Sequence, residues 1–437
     1  MIEASYTDRH MNELNIHRET LPNGLKLVAI DLPGRRSLTS FLAIRSGSRY
    51  ETAANNGIAH FLEHLVFKGT KQYPNNEAVA SAIERIGGTL NAWTDFDHTA
   101  YWNIVPAAAW QVGTEMPFEL AFSPLVRAED IERERGVIIE EIRMVQDDPA
   151  RYVHDLASEL AFQGHPLARP IIGSEQTVTA MSVDQFQAYR EQFYNAAHSV
   201  FVVAGDLSRA PILDAVRQRA SEVETGDVTT PDLLSKPSLH AIRLLTKPTD
   251  QTHFVLGAAD PTIGLTGSGD RMAAIVLNTI LGRGMSSRLF LNVREKQGLA
   301  YSIHSHVGTL EDGGSVSVYG GVNTDKALQA LRAVQEELRR LQEEKVGETE
   351  LMNAKNYING ANDMQADQGM TLATWYGTDW LLGRWESHDE LAAAITAVTA
   401  ERVQAAAQTL FAPERLILAL IGPQTDERPF AELLTKQ

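Results

Sequence analysis

Two histidines and a glutamate fall within five consecutive residues, His60-Phe61-Leu62-Glu63-His64. On a helix, residues four apart lie one above the other, so His60 and His64 can aim their imidazoles at one point. Glu63, three residues after His60, brings a carboxylate within reach of the same point. Two neutral imidazoles with a carboxylate close by suit a catalytic zinc that keeps one coordination position for water. The order H-x-x-E-H is the inverted form of the commoner H-E-x-x-H zinc-binding helix. The competing reading is a pair of hydrogen-bonded core histidines. A third ligand from elsewhere in the chain separates the two, because two histidines do not close a catalytic zinc site.

The elements around the pentapeptide must position it. Asn55-Asn56-Gly57 supplies turn formers, and Ile58, Ala59, Phe61, Leu62, Leu65, Val66 and Phe67 mark a buried helix closed by Lys68-Gly69-Thr70. A later helix, about 128–146, carries Glu132, Glu134, Glu140 and Glu141. Glu132 reads as part of a solvated face. Glu134 and Glu141 are two turns apart and share a face interleaved with Val137, Ile138 and Ile139. A half-buried carboxylate needs a partner, and a zinc ion is one. The pattern does not choose between Glu134, Glu140 and Glu141 as the third ligand.

The chain has 437 residues, too many for one ordinary core, and a 43% apolar fraction that is ample for globular folding. No run of eighteen apolar residues suggests a membrane span, and 1–20 lacks the apolar core of a leader. The formal charge of −17 argues against a nucleic-acid partner, which needs a basic face. Cysteine is absent, so neither disulfides nor thiolate ligands are available, and a cytoplasmic location is expected.

Strands are expected at 25–31, 38–47, 89–95, 98–105 and 198–204. Helices are expected at 77–86, from about 107, at 150–162, and from Ser182, where Ser182 and Gln185 form a capping box. The stretch 221–237 is polar, with Pro231 in it, and reads as a linker. Strands at 241–246, 252–258, 300–307, 315–322 and 416–421 then repeat the plan, with helices at 271–281, 286–293, 326–344, 348–382 and 401–410. The two halves end alike, at Gly205 and Gly422. The expected fold is therefore α+β: two homologous domains, each a mostly antiparallel sheet packed with helices, at 1–220 and 241–437 around a 221–240 linker.

With these stretches in view, the chain resembles the pitrilysin/insulinase family of zinc peptidases, most closely the two-domain branch that includes the mitochondrial processing peptidase subunits. The resemblance runs from about Asn15 to Gly422. It rests on Asn56 to Thr70, on Gly87-Gly88-Thr89-Leu90-Asn91-Ala92-Trp93-Thr94, and on Glu134-Arg135-Gly136-Val137-Ile138-Ile139-Glu140-Glu141. It also rests on Ser286-Ser287-Arg288-Leu289-Phe290 leading into Arg294-Glu295-Lys296-Gln297-Gly298-Leu299-Ala300-Tyr301-Ser302.

The resemblance implies His60, His64 and Glu141 as zinc ligands and Glu63 as the general base that activates the zinc-bound water. It implies that Glu134 is a carboxylate orienting a ligand. Arg294 and Tyr301 match a pair that completes the site from the other half of a clamshell, with Tyr301 a donor to the developing oxyanion. Asn91, Ala92 and Trp93 match a sheet edge to which an extended peptide adds as a strand. The implied activity is zinc-dependent endopeptidase action on extended or unfolded peptides. A two-domain chain carrying both residue sets implies a homodimer, or half of a heterodimer. The alternative is a non-catalytic peptide-binding or scaffold subunit.

Overall fold

The computed structural model describes residues 14–435. Most of the polar N-terminal stretch read above as lacking a leader lies outside them. The chain divides into two compact units, and neither is contiguous in sequence. Of the described residues, the first comprises 14–138, 171–231 and 360–386, and the second 139–170, 232–359 and 387–435.

The first unit is built on a six-stranded sheet of β1 (Asn15–Thr20), β2 (Lys26–Asp31), β3 (Ser37–Ile44), β4 (Thr89–Thr94), β5 (Thr99–Pro106) and β6 (Ser199–Gly205), in the order β1-β2-β6-β3-β5-β4. Only β2 and β6 pair in parallel. Every residue of β6 (Ser-Val-Phe-Val-Val-Ala-Gly) is buried, as expected of a strand covered on both faces. Among the described residues, β4 stands at one edge of the sheet and pairs only with β5. The helix Ile58–Val66 packs near β4, and Trp110–Phe122 packs on β3 and β5.

The second unit has β7 (Ala241–Thr246), β8 (Gln251–Asp260), β9 (Ala300–Thr309), β10 (Gly314–Asn323) and β11 (Ile417–Gly422), in the order β7-β11-β8-β10-β9. β7 and β11 are parallel, and every other pairing is antiparallel. Strand for strand this repeats β2-β6-β3-β5-β4, including the single parallel pair and the edge position of β9, the counterpart of β4. The two sheets therefore share one topology, and the first adds β1. Helices Arg271–Gly282, Ala327–Glu343 and Ala400–Leu410 cover a large apolar core with Phe254, Leu256, Val316, Val318 and Leu418.

The chain passes between the units at 231/232, inside the expected 221–240 linker, but two helices lie outside the expected 1–220 and 241–437 division. Helix Pro149–Ala161 presents Val153, Leu156 and Ala157 to Val255, Ile417 and Ile421 of the second sheet. Helix Gly369–Leu381 presents Leu372, Ala373 and Tyr376 to Val28, Phe41 and Val202 of the first. Each sheet thus buries one face under a helix from the other half of the sequence. Burial of each large apolar side chain contributes about 1.5–3 kcal/mol, which local propensity cannot match.

The single helix expected over 348–382 is two helices, Glu348–Gln365 and Gly369–Leu381, separated where Gln368 is extended. The helix expected over 286–293 begins later and is π-helical over Phe290–Glu295. Helices Ile212–Ser221, His388–Thr396 and Arg428–Thr435 were not anticipated.

Candidate metal centre

The pentapeptide helix starts abruptly because Gly57, its N-cap, has φ of 96°, a left-handed conformation that glycine adopts without strain. A side chain there would also meet the Ile172 carbonyl oxygen at 2.8 Å. The first turn leaves amide groups without intrahelical partners, and buried Glu51 supplies them. Its Oε2 accepts from Gly57 N at 2.8 Å, and its Oε1 accepts from Ala59 N at 2.9 Å. Ile58, Ala59, Phe61, Leu62, Leu65 and Val66 are buried, which fixes the rotation of the helix. His60, Glu63 and His64 share the remaining face.

The imidazole centroids of His60 and His64 are 4.7 Å apart. Ligand atoms of His60, His64 and Glu141 all lie within 4.8 Å of one another, and this is the sole such group of metal-binding side chains among the described residues. Burial, with His64 adding to it, pushes the His60 pKa down to about 3, so its imidazole is neutral. Neutrality is what metal ligation requires. Two imidazoles and one carboxylate form a donor set suited to catalytic zinc.

The three glutamates left open by the sequence separate cleanly. Glu140 is exposed and hydrogen-bonds Arg143 at 2.7 Å. Glu134 is buried; its Oε1 lies 2.9 Å from His64 Nδ1 and its Oε2 lies 2.5 Å from Lys68 Nζ. Burial alone would raise the Glu134 pKa, but the hydrogen bonds from His64 and Lys68 outweigh it and hold the carboxyl below its ordinary value. With Nδ1 engaged, His64 has Nε2 left to face a metal. Glu141 joins the two histidines, seven residues beyond Glu134 on the same continuous helix, Ala128–Asp147.

Glu63 is half-buried, and Thr94 Oγ1 donates to its Oε2 at 2.7 Å. Thr94 is the last residue of β4, so this bond ties the carboxylate to the sheet edge. Asn91, Ala92 and Trp93 lie on that edge strand. The Asn91 side chain accepts from the Ala92 amide at 2.8 Å, while Trp93 packs against Phe41 and donates to His98 Nε2 at 3.3 Å. Thr94 and Lys68 were not singled out as site residues from the sequence. Thr94 closed one of the family-like stretches, and Lys68 followed the helix, but their partners are 31 and 66 residues away.

Arg294 and Tyr301 belong to the second unit. The Arg294 guanidinium lies over the Phe290 ring, 4.8 Å from its centroid, in the π-helical segment. Tyr301 is 76% exposed at the start of β9, the edge strand of its sheet.

A family model described as insulinase (peptidase family M16) matches residues 26–175, and one described as peptidase M16 inactive domain matches residues 180–358. An uncharacterized zinc protease of Bacillus subtilis is 35% identical over 410 residues, covering 93% of this chain and 98% of its own. One from Streptomyces coelicolor is 34% identical, covering 94% and 91%. The crystal structure of a protease from Helicobacter pylori has the same fold, with a TM-score of 0.86 at 21% identity, over 93% of this chain and 99% of that one.

Proposed function

Because the chain belongs to the insulinase (M16) peptidase family, we propose that it is a zinc-dependent endopeptidase that cleaves extended peptide segments. The observation that carries this reading is the clustering of Glu141, from helix Ala128–Asp147, with His60 and His64, whose helix face also bears Glu63. Zinc, held by those three side chains, would polarise a peptide carbonyl and acidify water towards neutrality. His64 is oriented for that role by Glu134, which Lys68 anchors in turn. Glu63, steadied by Thr94, takes the proton from the attacking water and returns it to the leaving amine. The substrate adds as a strand to the free edge of β4 along Asn91, Ala92 and Trp93, displacing the Asn91 side chain from the Ala92 amide. Backbone pairing of this kind selects for unfolded chains.

Arg294 and Tyr301 complete the site in this reading, Tyr301 as donor to the oxyanion and Arg294 on a substrate carbonyl. A second copy of the chain supplies them, giving a homodimer with two equivalent sites. No helix of the described residues is long and apolar enough to cross a membrane. The cytoplasmic location expected from the cysteine-free sequence is part of the same proposal.

The match of 180–358 to a domain described as inactive supports a second reading, a non-catalytic or heterodimeric subunit. One experiment separates them. The chain purified alone is assayed for zinc and for cleavage of a quenched, unstructured peptide, before and after chelation. Zinc-dependent cleavage supports the peptidase, and zinc-free protein that binds the peptide without cleaving it supports the scaffold. Cleavage only on addition of a different subunit identifies the heterodimer.

A further inference from the structure

The first unit holds a cavity built from residues that the metal centre does not use. Its volume is about 340 Å³, in the range of small-molecule sites, and it is partly open to solvent. Arg190, on helix Val183–Phe193, lines it. One Arg190 nitrogen, Nη2, donates to the Phe122 carbonyl at 3.3 Å, but buried Nε has no partner and no ion pair forms with any described residue. A guanidinium cannot shed its charge, so burying one whose Nε has no acceptor is costly, and the nearby Glu191 offsets that cost only in part. Burial depresses the Arg190 pKa, which reflects the same cost. The other arginine of the lining, Arg219, differs: Glu115 accepts from it at 2.8 Å.

Lys71 adds a third cation to the wall. Glu191, Glu222 and Glu224 line it as well, Glu222 lying 3.5 Å from Arg219, so the wall carries both signs of charge. A phosphate dianion would be repelled by those carboxylates, whereas a ligand with one carboxylate and one ammonium group satisfies both signs. The rings of Phe122 and Tyr194 supply apolar wall for a side chain between the two charges.

We propose that this cavity binds a small zwitterion, a free amino acid or short peptide, with its carboxylate on Arg190 and its ammonium group towards the glutamates. The inference does not depend on the peptidase reading, because no residue of the metal centre takes part.

The test is calorimetric titration of the full chain with the dipeptide glycyl-leucine. Parallel titrations use its C-terminal amide, its N-acetyl form and inorganic phosphate at matched ionic strength. Saturable binding of the free dipeptide is expected, at least about tenfold weaker for both blocked forms and for phosphate. Arg190→Gln should weaken dipeptide binding by at least about tenfold, and His60→Ala should leave it unchanged. Absence of saturable binding, phosphate binding as tight as the dipeptide, or blocked forms that bind equally well would overturn the proposal. So would equal binding by Arg190→Gln, or a loss in His60→Ala, which would put the dipeptide at the metal centre. Should Arg190→Gln not fold, the ligand series on the unaltered chain decides.

Discussion

Glu134 meets His64 carboxylate to imidazole, Oε1 to Nδ1, at 2.9 Å, and the same carboxylate reaches Lys68 with its other oxygen. The bond fixes which imidazole nitrogen remains for a metal. Groups that orient a ligand in this way typically contribute about 10–100-fold to metal affinity. Glu134→Gln should therefore weaken zinc binding by about that factor, measured by competition with a chelator, while the fold is retained. Unchanged affinity would remove Glu134 from this role.

Thr94 should matter to turnover rather than to metal. Its hydroxyl donates to the carboxylate of Glu63, and a hydrogen bond to a charged group contributes about 1.5–3 kcal/mol. Thr94→Val is expected to lower kcat by about tenfold or more with zinc content intact. Equal losses of zinc and activity would show instead that Thr94 only supports the fold.

The pH dependence of stability should carry a signature of His198. This side chain is fully buried, and its Nε2 accepts from the Thr229 amide at 2.7 Å. Burial first, and Arg45 second, push its pKa from 6.5 down to about 4. The unfolded chain therefore binds a proton more readily than the folded one. The stabilising contribution is complete above pH 6.5 and is lost as the pH falls through about 4. Melting temperatures measured from pH 7.5 downwards should fall for the natural chain and fall less steeply for His198→Asn. Parallel curves would exclude His198 as the source.

Hybrid dimers test the proposed sharing of sites. Glu63→Gln and Tyr301→Phe chains should each be nearly inactive alone. If Tyr301 acts on a partner's site, unfolding and refolding the two together restores one intact site in each hybrid. Random pairing then gives about a quarter of normal activity. No recovery would mean that both residues serve the same chain's site, and a Tyr301→Phe chain that is active alone would mean that Tyr301 is not needed.

Much of the site was legible because it is local. The spacing of His60 and His64 and the apolar residues between them specify a helix face without reference to anything distant. The choice of Glu141 over Glu140 was not legible from pattern, since adjacent glutamates on one helix differ only in what each side faces. Helices Pro149–Ala161 and Gly369–Leu381 show the same limit on a larger scale. Their apolar stripes announce that each is buried, but a stripe carries no address, so the sheet each one covers could not be read. Thr94 and Lys68 acquire roles only when β4 and helix Ala128–Asp147 come alongside the pentapeptide helix.

The most direct test of the account is a paired measurement of bound zinc and peptide turnover in Glu63→Gln. This chain should keep its zinc while turnover falls by about 10²–10⁴-fold, the usual contribution of a positioned general base. Turnover equal to that of the unaltered chain, with zinc present in both, would contradict it.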